Sequence, residues 1–73
     1  MFNRKQIKTL EKALSRGLDN PKIVEQQPQG NGHITVVVAV GNQRVTVRGV
    51  AATPRDWTFT GNKLRQAVRR QLA

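Results

Sequence analysis

The 73-residue chain holds one histidine, His33, four carboxylates (Glu11, Asp19, Glu25 and Asp56) and no cysteine. Four acids scattered singly beside one histidine offer no cluster of ligands for a metal ion. Without cysteine there is neither a disulfide framework nor a thiolate site. The Gly-rich stretch Gln26-Gln27-Pro28-Gln29-Gly30-Asn31-Gly32 lacks the Lys-Ser/Thr ending and the following helix of a phosphate-cradling loop. Metal catalysis and nucleotide hydrolysis are therefore disfavoured, and no cofactor or small-molecule substrate is expected.

What remains is charge. Thirteen Lys and Arg residues against four acids give a formal charge of +9. A small domain tolerates that self-repulsion most easily when its partner is negative, and RNA or an acidic protein surface is the natural candidate. The cations expected to make the contact are Lys5, Lys8 and Lys12, then Arg44 and Arg48, then Lys63, Arg65, Arg69 and Arg70, with His33 beside the middle group. A contact surface of this kind needs no catalytic constellation, so a binding protein rather than an enzyme is expected.

These side chains must be positioned by few elements. A chain this short buries about 60% of its unfolded surface, so a single domain over residues 1–73 with a thin core is expected. From Asn3 to Gly17 the sequence predicts an amphipathic helix, with Asn3 as N-cap, Gln6 closing a capping box and Gly17 as the stop. Ile7, Leu10, Ala13 and Leu14 make its apolar stripe, and Phe2 can fold back on them. At 100° per residue, Arg4, Lys5, Lys8, Lys12 and Arg16 fall on the opposite side.

Asp19-Asn20-Pro21 reads as a turn and Lys22 to Gln27 as a short edge strand, with the Gln/Gly-rich stretch as a flexible loop. His33 to Val40, Gly41-Asn42 and Gln43 to Arg48 predict a hairpin with a two-residue turn. That turn sets Val40 against Gln43, Val38 against Val45 and Val36 against Val47, with Ile34 extending toward Gly49 and His33 opposite Val50. Val36, Val38, Val45 and Val47 then share the core face, while Thr35, Val37, Ala39, Arg44, Thr46 and Arg48 share the other.

Thr53-Pro54-Arg55-Asp56 resembles a short capped turn. Trp57 and Phe59 are expected to wedge into the core edge, with base stacking as the sharper alternative. The final helix is expected to start near Asn62, with Leu64, Ala67, Val68 and Leu72 facing inward and Lys63, Arg65, Gln66, Arg69 and Arg70 covering the rest. Arg69 and Arg70 lie in its last turn, where cations favour the helix dipole. The sum is an α+β fold: a small single-layer antiparallel sheet of two to three strands with two helices on one face, in the order α-β-β-β-α. The longest apolar run, Val36 to Val40, is too short to cross a bilayer, and no signal-peptide pattern opens the chain. A cytoplasmic protein without a membrane partner is expected.

This layout resembles the double-stranded-RNA-binding fold and its relatives, the HicA-like toxins. Gly30-Asn31-Gly32-His33 looks like that family's Gly/Ser-His signature, although Gly32 stands where the family often has Ser. Arg44-Val45-Thr46-Val47 resembles its next strand, and Gly61-Asn62-Lys63-Leu64-Arg65 resembles the start of its last helix. In those toxins the histidine is associated with messenger-RNA cleavage. The resemblance therefore implies an alternative function, an RNA-binding ribonuclease. His33 would act as acid or base on the ribose 2′-OH, with Arg44 or Arg48 stabilising the phosphate.

A second resemblance covers the whole chain. In size, basicity and lack of cysteine it looks like a short phage-encoded regulator of host RNA polymerase. Such a regulator binds near the RNA exit channel, inhibits host promoters and lets transcription run through terminators. That resemblance implies bacterial RNA polymerase as partner, nascent RNA as a further contact and the host bacterial cytoplasm as the site of action.

Overall fold

A computed structural model describes residues 1–72. Its elements are helix α1 (Arg4–Leu14), strands β1 (Lys22–Pro28), β2 (His33–Val40) and β3 (Gln43–Ala51), and helix α2 (Trp57–Leu72). The strands form one antiparallel sheet in the order β1-β2-β3, so β2 is central and both helices cover the same face. The expected α-β-β-β-α architecture is the one observed.

Helix α1 begins as its sequence requires. The Asn3 side chain accepts from the Gln6 N–H at 2.8 Å, while the Gln6 side chain accepts from the Asn3 N–H at 2.9 Å. This reciprocal pair supplies partners for two N–H groups that the first turn cannot satisfy internally. Phe2 folds back as expected and is buried, its backbone N–H and C=O both paired with the Gln26 side chain at 2.9 and 3.0 Å. The helix ends at Leu14, however, not at Gly17. Ser15 closes it in right-handed conformation, and Gly17 is not among the residues with positive φ. Gly17 instead lies against two arginine side chains of α2. A Cβ there would lie 3.2 Å from Arg65 Cδ and 3.4 Å from Arg69 Nη1.

In the hairpin, Val40 faces Gln43, Val38 faces Val45 and Val36 faces Val47, as the two-residue turn dictates. Gly41 has φ 60 and supplies the left-handed first position of that turn. Beyond Val47 the register departs from expectation. Gly49, at φ 77, inserts one extra residue into β3, so Ile34 faces Val50 and His33 faces Ala51. The cause is a glycine bulge, which only a residue free of Cβ forms without strain. Its consequence is that Val50 turns inward and is buried, while Arg48 and Gly49 stay outside. A second irregularity, between Ile23 and Glu25, puts Val24 outside the pairing of β1.

Strand β1 also runs longer than expected. It gains one residue, Pro28, which pairs with Ile34, and with Gln26 and Gln27 also in the strand the loop is confined to 29–32. Helix α2 begins at Trp57, five residues before Asn62. Asp56 is its cap: the carboxylate accepts from the Phe59 N–H at 3.0 Å, and its carbonyl accepts from the Thr60 N–H at 3.1 Å. Thr53 and Pro54 precede the helix as irregular chain. Gly61, read as a boundary, lies inside the helix and buried, because a Cβ there would lie 2.5 Å from the Ala13 Cβ. It is the contact point of the two helices. The core between layers is Leu10 and Leu14 of α1, Leu64 and Val68 of α2, and Ile34, Val36, Val38, Val45, Val47 and Val50 of the sheet.

Candidate functional site

Strand alternation decides where the cations of the hairpin go. Val36, Val38, Val45 and Val47 point into the core, so Arg44, Thr46 and Arg48 must project from the opposite face, and all three are exposed. The register places side chains in rows across that open face. Lys22, Ala39 and Arg44 form one row; Glu25, Val37 and Thr46 form the next; Gln27 lies beside Thr35 in the third, with Arg48 at the bulge. His33 begins β2 at the far end and is exposed. A shallow groove of about 450 Å³ runs over this face, floored by Val37 and flanked by Glu25, Gln27, Thr35, Thr46 and Arg48. The Gln29 side chain accepts from the Gly49 N–H at 2.7 Å, which holds the loop against the bulge.

The helical layer carries the other cations. Lys5, Lys8 and Lys12 are exposed along α1, with Arg4 and Arg16. On α2, Arg65 and Arg69 flank α1 beside Gly17, extending the α1 stripe. Lys63 lies on the opposite flank of α2, toward the edge of β3. Arg70 is exposed on the outer side of α2. The ten residues nominated from sequence are thus outside the core, Arg65 being half-buried and the other nine exposed. They do not form one surface. His33, Arg44 and Arg48 occupy the open face of the sheet, whereas Lys5, Lys8, Lys12, Arg65 and Arg69 lie on the layer behind it.

Two of the four carboxylates are engaged by backbone. Glu11 accepts from the Ile23 N–H at 2.9 Å, which pins α1 to β1, and Asp56 caps α2. Of the remaining two, Glu25 stands on the open face in the Val37 row. That row lies four residues along β2 from His33, about 13 Å at 3.3 Å per residue, too far for the pair to share a proton. Among the described residues no group of three or more His, Asp or Glu side chains could hold a metal ion.

The aromatics separate as well. Trp57 is half-buried against Phe2, edge to face with ring centroids 5.5 Å apart, so it belongs to the core margin as expected. Phe59 does not; it is 57% exposed, and the Lys63 ammonium lies 5.2 Å from its ring centroid. The two rings diverge because they sit two positions apart on a helix, about 200° around the axis, rather than in the stretch before the helix where the sequence reading put them.

Sequence reasoning missed one feature altogether. Between α2 and the edge of β3 runs a groove of about 350 Å³, lined by Phe59, Lys63, Leu64 and Ala67 from the helix and by residues 47–51 from the strand. Arg48 lines both this groove and the one on the open face. Gly49 was the available signal, since a glycine inside a strand pattern marks a bulge and re-aims its neighbours. No helix among the described residues is long and apolar enough to cross a membrane. No protein-family model, curated protein or solved structure matches this chain.

Proposed function

We propose that the protein is a small non-enzymatic regulator that binds bacterial RNA polymerase near the RNA exit region and modulates transcription, through host initiation, termination or both. The observation that supports this reading is the distribution of charge: a net +9, with every nominated cation at the surface and carried on a helix or strand. Cations presented this way give a partner electrostatic complementarity and fast, salt-sensitive association. Polymerase as the acidic partner comes from the resemblance to short phage regulators, not from the geometry. A module with cations on both faces suits a cleft between acidic protein and emerging transcript, because neither surface need be left facing solvent.

Affinity purification from a bacterial lysate, with elution by salt and identification of the eluted proteins, tests this. Polymerase subunits should co-elute, and His33→Ala should weaken that capture little. Recovery of RNA alone would refute the polymerase assignment. RNA fragments produced by the purified protein and abolished by His33→Ala would replace it with the ribonuclease reading.

A further inference from the structure

The groove between α2 and the edge of β3 pairs an apolar floor with a cationic rim. Ala51, Leu64 and Ala67 contribute the floor, Phe59 a flat aromatic wall, and Arg48 and Lys63 the charge. None of its lining residues is acidic. The Phe59 ring is 57% exposed, and its backbone is held in the first turn of a capped helix. From these features we infer that the groove seats an unpaired base of single-stranded RNA, stacked on Phe59, with the adjoining phosphates met by Lys63 and Arg48.

Charge and shape both select this occupant. A nucleotide carries its negative charge one sugar away from a flat ring. Here the Lys63 ammonium lies over the Phe59 ring, 5.2 Å from its centroid, so a base that stacks on that face displaces the ammonium toward the adjoining phosphates. Stacking platforms of single-strand binders combine the same two parts, an aromatic face for the base and a cationic track for the backbone. The volume, about 350 Å³, is at the small end of ligand sites and suits one nucleotide rather than a longer apolar segment. Arg48 gives the strand a continuation, since it also lines the groove on the open face, where Thr35, Thr46 and Gln27 offer hydrogen-bonding groups. Base identity is not read by Phe59, because every base has a π-face.

This inference takes only the cationic surface from the proposed function and does not require polymerase. The test is fluorescence anisotropy with a labelled oligoadenylate RNA of about eight nucleotides, a length within the usual site sizes. It is compared with an oligomer of equal length and charge whose sugars carry no bases. The protein should bind oligoadenylate about 10-fold more tightly than the abasic oligomer, as one stacked base permits. Phe59→Leu, which keeps the groove apolar, should abolish that difference, and Phe59→Trp should retain it. Lys63→Gln should weaken both oligomers alike. Because Phe59 is exposed, these variants should melt within a few degrees of the parent, which thermal unfolding confirms separately. Equal affinity for the two oligomers, or a difference that survives Phe59→Leu, would overturn the base-seating role while leaving the cationic surface intact. Preferential displacement of the RNA by an acidic peptide bearing one Phe would overturn it in favour of a protein ligand. Failure to capture polymerase would not bear on it.

Discussion

Replacing Gly61 by alanine separates local preference from tertiary packing, because the two predict opposite signs. In a helix interior alanine is favoured over glycine by about 1 kcal/mol, so propensity alone would stabilise the protein. The structure says otherwise. A Cβ at position 61 would lie 2.5 Å from the Ala13 Cβ, roughly 1 Å inside ordinary contact. Neither methyl can rotate away, since each Cβ is fixed by its own helix backbone, so α1 and α2 must move apart. Overpacking of this kind costs about 1–3 kcal/mol, and a clash between two backbone-anchored atoms belongs in the upper half of that range. The net effect should be a loss of about 1–2 kcal/mol, which lowers the melting temperature of so small a domain by about 4–16 °C. Circular dichroism of the helical signal on heating measures it. The double variant Ala13→Gly/Gly61→Ala removes the clash, so its stability should exceed the sum of the two single effects by at least about 1 kcal/mol. A higher melting temperature for Gly61→Ala alone would refute the packing argument.

Three further outcomes are expected. Asp56→Ala should cost about 1 kcal/mol through loss of the α2 cap and should speed amide exchange at Phe59, read by hydrogen exchange. Glu11→Ala should cost about 1–3 kcal/mol because the part-buried Ile23 N–H loses its acceptor, while Glu11→Gln, which keeps an oxygen there, should recover most of that in denaturant unfolding. Gly49→Val should destabilise by more than about 1 kcal/mol, since a β-branched side chain is strained at φ 77, and the resonances of His33 and Val50 across the bulge should shift.

The fold was legible where a local rule and a long-range pattern agreed. The Asn3/Gln6 box fixes where α1 starts, and the Gly41-Asn42 turn fixes the pairing of Val36 to Val40 with a strand whose alternation matches. Three glycines carried the information that sequence reading mistook. Gly17 resembled a helix stop and lies one turn past the end of α1 against the Arg65 and Arg69 side chains. Gly61 resembled a helix start and is the residue that lets α2 approach Ala13. Gly49 resembled a strand end and is a bulge that turns Val50 inward. A glycine used for close approach is indistinguishable in sequence from one used as a turn, because the partner atom that requires it lies elsewhere in the chain. The exposure of the cations was legible from the same periodicities. Their division between the open sheet face and the helical layer followed from strand alternation with both helices on one face; the groove beside Phe59 did not, because it depends on how α2 lies against β3.

Salt dependence of capture tests the central claim most directly: that cationic side chains held at the surface by this scaffold bind an acidic partner. Polymerase capture by the parent protein should fall steeply as ionic strength rises past about 0.1 M, where exposed charges are screened beyond about 10 Å. Arg44→Gln/Arg48→Gln and Lys5→Gln/Lys8→Gln/Lys12→Gln, one set on each face, identify the surface used. At least one set should weaken capture at low salt and flatten its salt dependence while leaving the melting temperature unchanged. Capture that is indifferent to salt and to both sets of substitutions would contradict the account.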